Sequence, residues 1–389
     1  MSSYRLRADG PEDAEFRATF RAWLGRELPA EYCFYGERPP NEVVVDWHKR
    51  LYRGGYVAPH WPKKYGGSEL PITLQAVIRE ELAYAGAPEL MSQGLGHIGP
   101  LLMVCGNEEQ KKKHLPPILP RDIDWAQGYS EPNSGSDLTS LRTRAVLDGD
   151  QFVVNGQKIW THGAAHADWI FMLVRTDPDA KPQAGISFLM CDIRTPGITV
   201  RPIKTIADDD ALAEVFFDDV RVPRENLVGE LNNGWYVANV LLSKERLGGG
   251  TPSAAIEAFE RLKAVAKLTG LDRDPAFRDR MTQNEIELLT IRAAYAHAVG
   301  LSAAGKELGP DVSFLKVAQT DVLQATCDLM LEAAGAIGIQ KGWVEIDGRR
   351  IQISALYRQV RRASIYGGSN EIQKNIVARR VLDLPSWRG

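Results

Sequence analysis

A loop of small polar residues, 127–137, carries the densest set of groups in this sequence that could bind a ligand. It reads QGYSEPNSGSD. Its serine hydroxyls, and its backbone N–H groups beside glycine, suit a phosphate or a polar planar ligand, because glycine lets the backbone approach closely. The alternative is a surface turn in which serine and asparagine make only local hydrogen bonds. Composition alone leaves both interpretations open.

The other side chains that commonly do chemistry are poorly spaced for metal or nucleophilic catalysis. Of the seven histidines, only His162 and His166 are four residues apart, and no HExxH glutamate lies between them. The sequence has no GxSxG elbow and no GxxxxGK phosphate-binding loop, and its four cysteines form no CxxC pair. These features argue against a metal enzyme, a serine hydrolase and a nucleoside triphosphatase.

Bulk composition describes a globular protein. The chain has 389 residues, 44% of them hydrophobic and 25% charged, which is enough to bury cores in two or three domains. A formal net charge of −3 gives no general attraction to nucleic acid. The sequence shows no signal-like or membrane-spanning apolar run, so we expect a cytoplasmic protein with no nucleic-acid or membrane partner.

Hydrophobic periodicity divides the chain into three predicted domains and gives an α+β fold. Residues 1–122 show helical periodicity. Residues 123–232 consist of short β-rich runs separated by turn residues, which predict a β-sandwich or barrel. Residues 233–389 return to long Ala- and Leu-rich helical stretches, which predict a four-helix bundle. A Rossmann domain is disfavoured, because neither a βαβ alternation nor a GxGxxG fingerprint occurs.

Two local patterns refine this division. Asp148-Gly149 and Asn155-Gly156 are dipeptides typical of hairpin turns, so we expect turns of the middle domain at both places. After the middle domain, one helical stretch is expected over 237–266.

Several motifs together give the chain a family resemblance. GYSEPNSGSD resembles the TEPxxGSD signature of acyl-CoA dehydrogenases, and LDGDQFVVNGQKIWTHGAAHADWIFMLVRT continues that family's β domain. Upstream, WPKKYGG is followed by a helix containing Glu80-Glu81-Leu82, and downstream the chain reads IYGGSNEIQKNIVARRVL. Both are similar to other landmarks of the family, in the same order. The resemblance covers nearly the whole chain and favours a ligand-binding role for the 127–137 loop.

The resemblance implies an enzyme that binds FAD. The residues that would contact the cofactor lie in the loop, at a strand end and at the start of the last helix: Gln127, Tyr129, Ser130, Gly135, Ser136, Trp160, Thr161, His162, Ser369, Asn370 and Glu371. Trp160 would cover one face of the flavin, and its alternative role is core filling. His162 stands where the family usually has a small hydroxyl residue near flavin N5. A helix beginning at Ser369 also suits a phosphate or a sugar hydroxyl.

The resemblance also implies a catalytic base, at an unusual place for the family. Removing a proton alpha to a thioester requires a poorly solvated carboxylate. The best-known members have this glutamate where the present chain has Gly367. Isovaleryl- and long-chain acyl-CoA dehydrogenases instead carry it on an earlier helix, in a segment that resembles SKERL at 243–247. Glu245 is therefore the candidate base, and the alternative is a solvated glutamate paired with Lys or Arg.

Further substrate contacts follow from the same resemblance. The backbone N–H of Gly367 would hold the thioester oxygen as negative charge develops there. Ser136, Arg246 and Gly368 would contact the acyl-CoA substrate, and electron-transfer flavoprotein would reoxidise the flavin. The glycines at 248–250, together with Gly367, leave room for a branched, cyclic or otherwise bulky acyl group, or else serve close helix packing.

Two departures from the family pattern concern contacts between subunits. The family's RxxFG segment, whose Arg reaches the FAD of a neighbouring subunit, is replaced by GLDRDP at 270–275. The family's Gln before a GGxG turn matches Glu332, which would repel a pyrophosphate. One interpretation is a heterotetramer in which a paralogous chain completes each FAD site, and the other is a homotetramer with different contacts. A non-catalytic structural subunit and an acyl-CoA oxidase-like flavoenzyme are the alternative functions.

Overall fold

The computed structural model describes residues 9–33, 39–90, 92–346 and 349–385, apart from the side chains of 242–249, 346 and 349. The chain forms two compact units. The helical unit comprises Met1–Arg50, Glu69–Glu89 and Glu245–Gly389, and the β unit comprises Leu51–Ser68 and Leu90–Lys244. The domain limits expected at residues 122 and 232 stay a prediction. In the described ranges, no helix combines the length and the apolar character that a membrane crossing requires.

The helices that precede the sheet follow the expected periodicity. They are α1 (Pro11–Glu27), α2 (Asn41–Arg53), α3 (Ile72–Ala85), α4 (Gly99–Cys105) and α5 (Glu108–Ile118). In α1, Phe20 and Leu24 are buried, as the amphipathic pattern predicts. Arg17 of α1 donates a hydrogen bond of 2.7 Å to Glu81 of α3, and because both side chains are buried, this ion pair joins the two helices of the helical unit.

The β unit is built on eight strands. They are β1 (Trp125–Gly128), β2 (Arg144–Asp148), β3 (Gln151–His162), β4 (Trp169–Arg175), β5 (Ile186–Asp192), β6 (Ile198–Ile203), β7 (Leu212–Pro223) and β8 (Leu227–Val228). Their order is β6-β7-β3-β2-β4-β5-β8, and β1 lies parallel beside β4. A single residue pair, Arg144 with Arg175, joins β2 to β4 in the described ladder. Strands on both sides of this pair contribute alternate residues, such as Phe152 of β3 and Met172 of β4, to one buried core. The expected β-rich middle domain is therefore confirmed.

Only one of the two expected hairpin turns is present. Asp148 ends β2 and pairs with Gln151 of β3, and Gly149 and Asp150 form the turn between them, with Gly149 at φ +64°. The turn expected at Asn155-Gly156 is wrong, because both residues lie within β3 where its register with β7 shifts. The extra residue of this register shift lies on β7, opposite Gly156, which adopts φ +147°, and a Cβ at Gly156 would lie 2.7 Å from Thr143.

Helices follow the sheet, and those after residue 250 build the core of the helical unit. They are α6 (Gly234–Gly249), α7 (Ser253–Thr269), α8 (Pro275–Ala303), α9 (Ser313–Ala334), α10 (Ala336–Ile339), α11 (Ile353–Val360) and α12 (Asn370–Arg380), with a hairpin of β9 (Val344–Ile346) and β10 (Arg349–Ile351) before α11. Leu323 and Met330 of α9 share a buried cluster with Phe259 of α7 and Leu288 of α8. The expected helical domain is therefore confirmed.

The long helical stretch expected over 237–266 is divided in two. α6 ends at Gly249 and α7 begins at Ser253, so Thr251 and Pro252 lie outside both helices. Proline lacks the backbone N–H that would continue the hydrogen bonds of α6, and the preceding glycines favour a helix end. At this point the glycine run marks a helix boundary.

Candidate functional site

The 127–137 loop leaves the sheet at a closely packed point. Gly128 ends β1, and a Cβ at this glycine would lie 2.9 Å from the Ile170 side chain of β4. Tyr129 follows it and is buried, with its ring edge-on to Phe171 and Phe188 at centroid distances of 6.0 and 6.3 Å. Gln127 is partly buried on β1. Tight packing thus fixes the start of the loop before its polar residues begin.

Glu131 anchors the middle of the loop to the sheet through a buried ion pair. The Nζ of Lys158, on β3, lies 2.7 Å from the Glu131 carboxylate and also donates to the carbonyl oxygen of Tyr129 at 3.2 Å. The same carboxylate accepts hydrogen bonds from the backbone N–H groups of Arg142 and Thr143, at 2.6 and 2.8 Å. One carboxylate therefore fixes three backbone segments of the β unit.

Burial and charge act against each other within this ion pair. Burial lowers the pKa of the Lys158 ammonium to about 8, although the charge of Glu131 raises it. Burial also raises the pKa of Glu131, but the charge of Lys158 outweighs that effect and leaves the Glu131 pKa below its usual value. Both groups are accordingly ionised near pH 7, and each depends on the other for that state.

The loop brings Ser130 beside Trp160 within the β unit. The Ile159 N–H donates to the carbonyl oxygen of Ser130 at 2.9 Å, one residue before Trp160 in β3. Glu131 and Ser134 then exchange backbone hydrogen bonds of 2.7 and 3.0 Å, which close a tight turn. Gly135 and Ser136 follow this turn and are exposed. Main-chain hydrogen bonds thus hold Ser130 next to the segment that carries Trp160, and both residues are predicted to contact the flavin.

Trp160 has a strained backbone and an exposed ring. Its φ is +61°, and its side chain is 57% exposed. The register between β3 and β7 shifts between Lys158 and Thr161, so Trp160 lies in a bulge. A left-handed conformation at a residue other than glycine costs about 1–3 kcal/mol, and it persists only where the surroundings impose it. The core-filling alternative for Trp160 does not fit its exposure.

Thr161, the next residue, has a buried hydroxyl. The side chain is 0% exposed, and in the described part of the chain its Oγ1 has no hydrogen-bond partner. His162 follows, half-buried, at the end of β3 opposite Leu212 of β7. A buried hydroxyl without a partner is uncommon in native structures and points to a group that is bound there. The side chains around Trp160 thus fit a ligand with an aromatic face and a polar edge.

A second predicted group of site residues precedes α12 in the helical unit. Gly367 and Gly368 have φ of +64° and +78°, which glycine adopts without strain. Among the described residues, no hydrogen-bond acceptor is present for the Gly367 N–H, and no atom lies within 4 Å of where a Cβ would be. Ser369 caps the helix, its Oγ accepting a hydrogen bond from the Ile372 N–H at 3.3 Å. The turn thus presents a free donor beside open space.

Asn370 and Glu371 at the start of α12 differ in their surroundings. Asn370 is buried, and its side chain accepts a hydrogen bond from Lys316 Nζ at 2.9 Å and donates to Asp321 at 3.1 Å, both on α9. Glu371 is exposed, and hydrogen bonds from its own backbone and from Ser369 lower its pKa. Asn370 thus fixes α12 against α9, and its direct contact with a cofactor stays a prediction.

Glu332, which the sequence suggests would repel a pyrophosphate, is paired with a cation. Arg280 of α8 donates two hydrogen bonds to its carboxylate, one of them 2.8 Å long, and both side chains are about half exposed. This hydrogen bonding lowers the pKa of Glu332 and raises that of Arg280. Sequence reasoning missed the compensating role of Arg280, which lies 52 residues from Glu332.

The candidate base and its neighbour lie on α6. Glu245 and Arg246 fall in the last turns of the helix Gly234–Gly249, but their side chains lie outside the described residues. Their roles therefore stay predictions. Among the described residues, no group of three or more His, Cys, Asp and Glu side chains is arranged to hold a metal ion.

Models of the acyl-CoA dehydrogenase family match most of the chain. The model of the N-terminal domain matches residues 10–122, that of the middle domain residues 126–220, and that of the C-terminal domain residues 232–382. The chain is also 36% identical over 383 residues to acyl-CoA dehydrogenase IpdE1 of Mycobacterium tuberculosis, which covers 95% of this chain and 97% of the relative.

Solved structures agree in fold. The chain matches a structure described as the Tcur3481-Tcur3483 steroid ACAD with a TM-score of 0.88 and 33% identity, covering 99% of this chain and 100% of the other. It matches the ChsE4-ChsE5 complex from Mycobacterium tuberculosis with a TM-score of 0.84 and 29% identity, covering 98% and 99%. With matches to all three domain models and to relatives over their full length, the chain belongs to the acyl-CoA dehydrogenase family of oxidoreductases.

Proposed function

We propose that this chain is the catalytic subunit of an FAD-dependent acyl-CoA dehydrogenase that converts an acyl-CoA thioester to the trans-2-enoyl-CoA and passes the electrons to electron-transfer flavoprotein. The observation that carries the proposal is the exposed ring of Trp160 next to the buried hydroxyl of Thr161, which has no hydrogen-bond partner among the described residues. Leaving such a hydroxyl unsatisfied costs about 1–3 kcal/mol. A flavin has the aromatic face and the polar edge that would satisfy both side chains.

The steps assigned to this chain's own residues concern the proton and the thioester oxygen. The carboxylate of Glu245 would take the proton from the α-carbon, and the electrons of that C–H bond would form the double bond. The Gly367 N–H would donate to the thioester oxygen as negative charge develops there, a contribution of about 3 kcal/mol for one such donor. A flavin held at Ser130 and Trp160 would supply the acceptor for the hydride that leaves the β-carbon. Arg246, Gly368 and Ser136 would hold the CoA arm.

The substrate class proposed is a bulky acyl group that contains a ring. Gly367 stands where the best-known members of the family carry a glutamate, and among the described residues other than its chain neighbours no atom lies within 4 Å of the position a Cβ would take. A relative matched over its full length is described as a steroid ACAD. A short straight acyl chain would leave much of such a space unfilled, and unfilled apolar space weakens binding.

The partner proposed is a paralogous chain that completes the FAD site. Arg280 is already paired with Glu332, so its guanidinium is not free to bind a pyrophosphate. Two of the matched structures are described by pairs of differently named chains. A homotetramer is the competing assembly. Expressing the chain alone and measuring FAD per chain separates the two, because full occupancy in a homotetramer would exclude the need for a partner.

The proposed reaction is tested by anaerobic mixing of the FAD-loaded protein with acyl-CoA thioesters. We expect a ring-bearing substrate such as 3-cyclohexylpropanoyl-CoA to bleach the flavin absorbance in a single turnover, faster than octanoyl-CoA does. Absence of bleaching with every thioester, at full FAD occupancy and with the partner present, would support the structural-subunit alternative. Oxygen consumption that accompanies turnover would support the oxidase alternative.

A further inference from the structure

A buried lysine in the helical unit takes no part in the steps proposed above. Lys316, on α9, is 7% exposed, and its Nζ donates a hydrogen bond of 2.9 Å to the Asn370 side chain at the start of α12. The Asn370 amide in turn donates to Thr320 Oγ1 at 3.0 Å and to Asp321 at 3.1 Å. Side chains on one face of α9 thus hold α12 at a residue that follows Gly367 closely in the chain.

The contact between Lys316 and Asn370 involves a charge in a poorly hydrated place. Burial lowers the pKa of the Lys316 ammonium, whereas the charges of Glu371 and Asp321 raise it. Among the described residues, the ammonium donates its hydrogen bond to the neutral Asn370 amide. A hydrogen bond from an ionised donor is stronger than one between neutral groups, and a buried charge requires such a partner. The contact therefore resists displacement of α12 relative to α9.

The first turn of α12 reaches back to the glycines before it. The Gln373 side-chain Nε2 donates to the Gly367 carbonyl oxygen at 3.3 Å, and a Cβ at Gly368 would lie 2.7 Å from the same nitrogen. On the other side of the turn, the Tyr366 N–H donates to the Arg362 carbonyl oxygen at 3.1 Å. The Gly367 N–H lies in the chain between these two hydrogen bonds.

Two consecutive glycines need such restraints if one N–H is to keep a fixed direction. Gly367 and Gly368 adopt φ of +64° and +78°, and glycine has more conformational freedom to lose than any other residue. A donor stabilises a developing oxyanion only when it lies about 2.7–3.1 Å from the oxygen, and a displacement of about 1 Å can lower the rate about 100-fold. Gln373 restrains the turn relative to α12, and Lys316 restrains α12 relative to α9.

We propose that Lys316 and Gln373 are positioning residues for the Gly367 N–H. Lys316 fixes α12 through Asn370, and Gln373 fixes the Gly367 turn on α12, so both act through the backbone and not on the reacting atoms. The inference rests on the proposed function, which gives the Gly367 N–H the thioester oxygen as its acceptor. It adds that the position of this donor is determined by a buried cation on another helix.

The test observes the thioester carbonyl directly, in a complex that does not turn over. The ligand is the product 3-cyclohexylprop-2-enoyl-CoA, isotopically labelled at its carbonyl and bound to the FAD-loaded protein. A hydrogen bond to this oxygen weakens the C=O bond and lowers its infrared stretching frequency relative to the free ligand. Gln373→Met and Lys316→Met should return the band towards the free value and slow flavin reduction by 3-cyclohexylpropanoyl-CoA roughly 10- to 100-fold. Lys267→Met, which removes an exposed ammonium on α7, should change neither the band nor the rate.

Fold and cofactor content are measured separately for each variant. Thermal unfolding and FAD per chain show whether a variant is folded and loaded, and Gln373 is half-buried, so Gln373→Met is expected to fold. If Lys316→Met does not fold, Thr320→Val takes its place, because it removes another contact of Asn370 on α9 and should return the band in the same direction.

The band position decides the inference. A band in the original chain equal to that of the free ligand would overturn it. An unshifted band in folded, loaded Gln373→Met would overturn the role of Gln373, and an unshifted band in Lys316→Met or its replacement would overturn that of Lys316, even if the rates fall. Failure of the original chain to reduce its flavin with any thioester counts instead against the proposed function.

Discussion

The ammonium of Lys158 lies 2.7 Å from the carboxylate of Glu131, and the Lys158 side chain is fully buried. This pair joins β3, which ends in Trp160, Thr161 and His162, to the loop that carries Ser130. One buried ion pair therefore holds together the two segments of the β unit that are predicted to contact the flavin.

Replacing Glu131 should destabilise the β unit and release the cofactor. Glu131→Gln leaves the Lys158 ammonium buried without a counter-charge, which typically costs about 3–5 kcal/mol. We expect a clear fall in the unfolding midpoint and in the FAD retained after purification. Differential scanning calorimetry and the flavin absorbance per chain measure both quantities.

Two matched variants control this prediction. Glu131→Gln combined with Lys158→Met removes both charges and should recover part of the lost stability. Glu108→Gln removes the partner of Lys111 on the surface of α5 and should change stability by no more than about 1 kcal/mol. Equal losses of stability in Glu131→Gln and Glu108→Gln would show that the buried ion pair contributes no more to stability than the surface ion pair does.

His114 should make the protein less stable in mild acid. It is 2% exposed on α5, edge-on to Trp125 and Trp169 at centroid distances of 5.3 and 4.7 Å. Burial, assisted by the charge of Lys113, lowers its pKa to about 4. An unfolded histidine has a pKa near 6.5, so between these values the unfolded chain binds the proton. The full contribution of His114 to stability is therefore present above about pH 6.5. As the pH falls towards 4, the free energy of unfolding decreases by up to about 3 kcal/mol.

Urea unfolding at several pH values measures the His114 effect. His114→Phe keeps an aromatic ring between the two tryptophans and should flatten the decline in unfolding free energy from pH 6.5 to 4. His166→Gln changes an exposed histidine of the same unit and should leave the decline as it is. A His114→Phe protein with the original pH dependence would refute this assignment.

Thr161→Val should have opposite effects on stability and on cofactor retention. Valine has the same shape as threonine and lacks the hydroxyl, which is buried and has no partner within the described ranges, so the cofactor-free chain should be unchanged or more stable by about 1 kcal/mol. FAD retention should fall, because the proposed ligand contact is lost. Thr326→Val is the matched control: its hydroxyl donates to Asn284 at 2.8 Å, so its removal should lower stability and spare FAD. Unchanged FAD retention in Thr161→Val would contradict the proposed contact.

The strands and the binding loop could be predicted because their signals are local. Residues that alternate between polar and apolar mark β3 and β7, and serine beside glycine marks the loop. The bulge opposite Gly156 could not be predicted, since Asn-Gly is typical of hairpin turns and only the neighbouring Thr143 makes a glycine necessary within a strand.

The buried ion pair that holds the loop joins two residues that are far apart in the sequence. Lys158 and Glu131 are 27 residues apart, and a lysine in a strand is usually exposed. One signal was available: Lys158 lies on the same side of β3 as the buried Phe152 and Val154 if the alternation is continued. The left-handed backbone of Trp160 has no comparable signal, because its conformation is imposed by pairing with β7.

Replacing the candidate base should nearly abolish single-turnover reduction of the flavin. Glu245→Gln keeps the size of the side chain but cannot accept the α-proton at neutral pH, and general-base catalysis typically contributes 10²- to 10⁴-fold. Stopped-flow absorbance with 3-cyclohexylpropanoyl-CoA measures the rate, and product binding by calorimetry shows whether the ligand site is intact. Glu260→Gln, which removes the partner of Lys263 on α7, is the matched control and should bleach normally. Bleaching of Glu245→Gln at a rate near that of the original chain would exclude Glu245 as the base, and the proton would then have to leave through a group outside the SKERL segment.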